Sequence, residues 1–124
     1  MESIVGTSAS ASLFLPAVLF VVAVFLAFST GTSWGTFAIL VPIAIAMFPG
    51  ADHLEMMIIA VSAVLAGAVC GDHISPISDT TVMSSAGAQS NHINHVTTQM
   101  QYAAVVAVVC IIGYIIAGLV QIWW

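Results

Sequence analysis

Apolar residues run along this chain in long blocks, and short polar clusters interrupt them. Residues 1–12 are small and polar, with Ser3, Thr7, Ser8, Ser10 and Ser12, and read as a flexible lead-in. Leu13 to Phe28 is the first apolar block, and Ser29-Thr30-Gly31-Thr32-Ser33 ends it abruptly. Trp34 to Phe48 is the second, closed by Pro49-Gly50 and Asp52. As a helix the first block spans about 24 Å, short of the roughly 30 Å hydrocarbon core, and the second is also short. Two half-length runs meeting at a Ser/Thr/Gly tip predict a re-entrant hairpin over 13–48, with Pro16 and Pro42 kinking its arms. Two short tilted helices joined by a surface loop are the alternative. A loop in water would have no need to exclude every charge, which favours the hairpin.

The third block, Leu54 to Cys70, stops at Gly71-Asp72-His73-Ile74-Ser75-Pro76-Ile77-Ser78-Asp79-Thr80-Thr81. Pro76 has no amide donor and pushes Ser75 out of helical geometry. Helix is expected to resume near Asp79 or Thr80 and to fade by Gly87. The result is a discontinuous helix over 54–88 with an unwound middle. Residues 89–101 are polar and read as an interfacial connection. Tyr102 to Trp124 would make a helix of about 35 Å, long enough to span. Tyr102 at one end and Trp123 and Trp124 at the other suit interfacial anchors.

Composition sets the solvent. Of 124 residues 61% are hydrophobic and 4% charged, with five acids and no Lys or Arg, and the mean hydropathy is +1.18. Five acids and no bases cannot cover a water-facing surface, so the bilayer is the expected surroundings. The expectation is a single all-α integral membrane domain, 1–124, lodged multi-pass in the cytoplasmic membrane among lipid. Basic residues normally reveal orientation, and none exist here. Nucleic acid is excluded as a partner, because phosphate contacts need cations. No basic segment precedes Leu13 as in a signal peptide. Cys70 and Cys110 lie in apolar blocks and read as two buried thiols.

The stretch Gly71 to Thr81 carries the chemistry. It holds Asp72 and Asp79 together with the hydroxyls of Ser75, Ser78, Thr80 and Thr81. An acid at membrane depth costs roughly 2.5–3.5 kcal/mol even on the lenient insertion scale. Cation binding accounts for such a cost. A dehydrated Na⁺ wants hard oxygens, which carboxylates, hydroxyls and the freed carbonyls of broken helices supply. The C-terminal dipole of a half-helix adds negative potential. The candidate ligands are Asp72 and Asp79 for Na⁺ itself, with Ser75, Ser78 and Thr80, and with Thr30, Thr32 and Ser33 from the other polar tip. Two close carboxylates repel, so one tends to hold its proton. Na⁺ and H⁺ then compete for the same oxygens. Asp79 has a plainer reading as the N-cap of the half-helix it opens. The hydroxyls have one too, as partners for unwound backbone. Asp72 has no such alternative.

Of the four histidines, His73 stands beside Asp72, and histidine is the side chain best suited to exchanging protons at physiological pH. Proton relay and a structural hydrogen bond are equal readings for it. His92 and His95 are three apart, which would suit a shared helix face. A zinc site needs further ligands, so solvated interfacial histidines are the simpler account. An intramembrane aspartyl protease would want glycine where Val69 stands. No cofactor and no catalytic residue is expected.

Gly71-Asp72-His73-Ile74-Ser75-Pro76-Ile77-Ser78-Asp79-Thr80-Thr81 closely resembles the signature of NhaC-type sodium/proton antiporters. His92-x-x-His95-Val96-x-Thr98-Gln99 with Tyr102-Ala103, and Thr30-Gly31-Thr32-Ser33-Trp34-Gly35-Thr36, resemble other parts of that family. The likeness runs from about Phe28 to Ala104. Family members often carry Cys at position 74 and Pro at position 101, where this chain has Ile74 and Gln101; neither position supplies an oxygen ligand. The resemblance implies Na⁺/H⁺ exchange, with some relatives coupling organic acids instead, on a fold of two inverted repeats. Each repeat would hold a re-entrant hairpin and a broken helix. This chain would match the second repeat, so a missing N-terminal half or a homo-oligomer is implied as partner. A non-catalytic membrane interaction protein is the competing class, in which Gly67-x-x-x-Gly71 would serve helix packing.

Overall fold

The computed structural model describes residues 2–49 and 53–123, and the side chains of 13–49 and 53–121. Five helices account for them: α1 (Glu2–Thr30), α2 (Ser33–Met47), α3 (Leu54–Ile74), α4 (Asp79–Gly87) and α5 (His92–Trp123). Among the described residues there is no strand. The Pro49-Gly50 and Asp52 turn falls largely outside the described residues.

The first helix is longer than its apolar block. It begins at Glu2, so the small residues of the expected lead-in are helical, and it contains Pro16 without ending there. Of the two arms expected to be half-length, only α2 is, with 15 residues. The turn between them is minimal. Gly31 takes a left-handed φ of 67°, and its amide closes on the Ala27 carbonyl at 2.8 Å. Glycine alone adopts that geometry without strain. Thr32 then caps α2, its side chain accepting from the Gly35 amide.

The third helix also outruns its block. It continues through Gly71 and Asp72 to Ile74, and Ser75 leaves it in extended geometry at ψ 127°. The terminator is Pro76 acting on its preceding residue, and Gly71 does not unwind the chain. The last helix starts at His92, well before the expected 102. Its first turns are polar yet helical, and Thr97 and Thr98 turn their hydroxyls back onto the Ile93 and Asn94 carbonyls, at 2.8 and 2.9 Å, rather than competing for the backbone amides.

Among the described residues three segments are long and apolar enough to cross a membrane: Leu13–Thr30, Leu54–Ile74 and His92–Gln121. The described residues form a helical membrane protein. Its centre is α3, which packs on α1, α2 and α5. Lipid tails are as apolar as leucine, so close contact drives helix association. Small residues make that contact here. Gly67 lies against the Phe20 carbonyl and Ala23, and Gly71 against the Val24 carbonyl and Ala27. Ala60, Ala63, Val64 and Ala68 complete the seam and are fully enclosed. Val105, Val106, Val109, Ile112 and Ile116 of α5 stay exposed, as expected of a face turned to lipid.

Candidate cation site

The two polar interruptions, far apart in sequence, meet in space. Ser75 leaves α3, is fully buried, and donates its hydroxyl hydrogen to the Phe28 carbonyl in the last turn of α1 at 2.8 Å. One turn on, Gly31 at the α1–α2 corner lies against Ile77, so close that a Cβ on Gly31 would come within 3.0 Å of the Ile77 carbonyl oxygen. The carbonyl ends of α1 and α3 therefore converge on one place. Both contribute negative potential there.

Asp72 sits on the last turn of α3 beside this junction. It is 6% exposed, and its Oδ1 is enclosed with no hydrogen-bond partner. No Lys or Arg exists in the chain to neutralise it. Backbone around it is held from α4, where buried Thr81 donates to the His73 carbonyl at 3.2 Å and reaches the Asp72 carbonyl at 3.5 Å. Asp79 is placed differently. It is exposed, and its Oδ1 accepts from the Thr80 amide at 2.8 Å. Ser78, not Asp79, is the N-cap of α4; Asp79 is the first residue inside, where a carboxylate complements the helix dipole. The two acids thus do not share one environment.

The hydroxyls lean toward the backbone in a way that keeps oxygens free. Thr30 donates to the Leu26 carbonyl at 2.9 Å. Ser78 and Thr80 share one hydrogen at 2.8 Å. A hydroxyl that spends its hydrogen on a carbonyl retains lone pairs for a cation. Thr32 and Ser33 open α2 on the same corner and are half-buried. Thr36, which pattern alone did not mark, is fully buried one turn on and donates to the Thr32 carbonyl at 3.0 Å. Thr81 and Ser85 are likewise buried; both occur at four-residue spacing on α4, a helical stripe of hydroxyls that could have signalled it.

His73 points away from the Asp72 burial and is exposed. It lines a polar cavity of ≈ 30 Å³ with Thr80, Thr81, Ser84, His95 and Gln99, room enough for a water. The Gln99 Oε1 is enclosed without a partner. A larger recess of ≈ 670 Å³ opens beside it, walled by Leu65, Val69, Val106 and the two cysteines. Its apolar lining offers no ligand cage. Among the described residues no three His, Cys, Asp or Glu side chains gather for a metal ion. His92 is not a solvated histidine. Both ring nitrogens are engaged, with Ser85 Oγ at 3.0 Å and the Pro76 carbonyl at 2.7 Å.

The Na⁺/H⁺ antiporter family matches residues 1–119. The chain belongs to that family. A protein of Haemophilus influenzae, described as uncharacterized, is 61% identical over 105 residues, which is 85% of this chain and 20% of that protein. The malate-2H⁺/Na⁺-lactate antiporter of Bacillus subtilis is 32% identical over 108 residues, 86% of this chain and 22% of that one. The chain thus spans about a fifth of the length of these curated relatives. No solved structure matches it. The buried carboxylate of Asp72 lies on the polar stretch from Gly71 to Thr81.

Proposed function

We propose that this chain supplies the cation-exchange centre of a Na⁺/H⁺ antiporter of the cytoplasmic membrane. The observation that carries the reading is Asp72, buried, with an unpartnered oxygen, where the carbonyl ends of two helices converge. A carboxylate in that position is charged at a cost unless something positive binds it. Na⁺ and H⁺, the pair that the family name gives, would each remove the charge, one at a time. Na⁺ would be held by Asp72 with the oxygens of Ser75, Ser78 and Thr80 and of the Thr30–Ser33 corner. Asp79, exposed at the mouth of α4, attracts the cation and supplies a ligand on entry. His73, facing the small polar cavity, passes protons to and from water.

Family membership supports cation antiport in general terms. The remaining four-fifths of a relative's length, or a second copy of this chain, would complete alternating access. A second reading couples the same cation site to organic acids, favoured by the malate and lactate for which the Bacillus subtilis relative is named. Everted membrane vesicles containing the chain separate these. Na⁺ should collapse an imposed pH gradient, and Asp72→Asn should abolish the collapse. A collapse that needs malate or lactate would favour the second reading, and an unchanged response in Asp72→Asn would sink both.

A further inference from the structure

We propose that His92 is a positioning residue that latches the α3–α4 break in place, an inference that rests on the cation-site reading for its functional consequence. His92 is the first residue of α5 and half-buried. Its Nε2 lies 2.7 Å from the Pro76 carbonyl. A carbonyl only accepts, so Nε2 carries the hydrogen. Its Nδ1 lies 3.0 Å from Ser85 Oγ; Ser85 is buried on the last turn of α4, and its one hydroxyl hydrogen is shared between Nδ1 and the Val82 carbonyl at 2.9 Å.

One imidazole therefore ties three elements: the unwound residues after α3, the far end of α4, and the start of α5. The tie matters because it falls on Pro76 itself, which has no amide to donate. The other restraints lie on either side: the Ser75 hydroxyl on the Phe28 carbonyl, the Ser75 amide on the Asp72 carbonyl at 3.2 Å and the Ser78 amide on the Ser75 carbonyl at 3.3 Å, Ile77 against Gly31, and Thr81 on the His73 carbonyl. The His92 bond falls between them. Releasing it frees the segment that carries Ser75 and Ser78 and turns α3's end at Asp72.

Glutamine can place an amide N–H near the Nε2 position; phenylalanine fills the space and donates nothing. The test uses the full chain in lipid nanodiscs as wild type, His92→Gln and His92→Phe. Nitrogen-15 NMR of the histidine ring should show His92 protonated at Nε2, and amide exchange of α4 should quicken at least tenfold in His92→Phe while His92→Gln stays near wild type. Sodium affinity, read by ²³Na relaxation, should fall at least tenfold in His92→Phe and be largely kept in His92→Gln. A ring protonated at Nδ1 alone, or α4 exchange unmoved in His92→Phe, overturns the latch. Quickened exchange with unchanged sodium affinity overturns its positioning role. Wild type that binds no sodium overturns the cation reading and the positioning role together, while the tautomer and exchange results still decide the latch by themselves.

Discussion

Two glycines on neighbouring helices give the sharpest energetic expectation. Gly71 of α3 faces α1, and a Cβ placed on it would strike the Val24 carbonyl and press on Ala27. Backbone cannot rotate away, so Gly71→Ala must separate the helices. Gly113 of α5 has nothing within 4 Å of such a Cβ. Both substitutions gain helix propensity, about 0.8–1 kcal/mol, so that term cancels in the comparison. Overpacking typically costs about 1–3 kcal/mol. Gly113→Ala should therefore stabilise slightly, and Gly71→Ala should fall below it by about 1–3 kcal/mol. Unfolding from mixed micelles by a denaturing detergent, followed by near-ultraviolet circular dichroism, measures the difference. Equal stabilities would mean that α1 and α3 do not touch along this seam. Widening it should also pull Ser75 from Phe28, so the loss reaches the site.

Other expectations follow from single contacts. Ser75→Ala leaves the Phe28 carbonyl without its buried partner and should cost about 1–3 kcal/mol in the same titration, whereas exposed Ser29→Ala should stay within about 0.5 kcal/mol. Gly31→Ala must hold a left-handed residue against Ile77 and should lose at least about 1–2 kcal/mol. Asp72→Asn removes a buried ionisable group while keeping its shape, so detergent unfolding should show stability unchanged or higher; a clear loss would mean that the carboxylate serves the fold.

Much of this arrangement was readable from local chemistry. Pro76 marked the helix break, and Thr30 to Ser33 marked the other interruption, because proline and glycine act through their own backbones. The exact limits were less readable. Gly71 and Asp72 were expected in the unwound stretch, yet packing against α1 keeps them helical to Ile74. Polar residues 89–101 read as a connection, yet polarity reports the surroundings of a segment and not its backbone state, and α5 begins at His92. The pairing of Ser75 with Phe28, 47 residues away, is tertiary and leaves no local trace. His92 escaped for the same reason: its partners, Pro76 and Ser85, are set by how α4 folds back on α5.

The most direct test of the central claim is proton release on sodium addition. Purified chain in nanodiscs, in weakly buffered solution with a pH dye, is titrated with NaCl against choline chloride. If Na⁺ and H⁺ compete for Asp72, the wild type releases protons with sodium and not with choline, and Asp72→Asn releases none. Equal release from Asp72→Asn, or none from the wild type, would contradict the account.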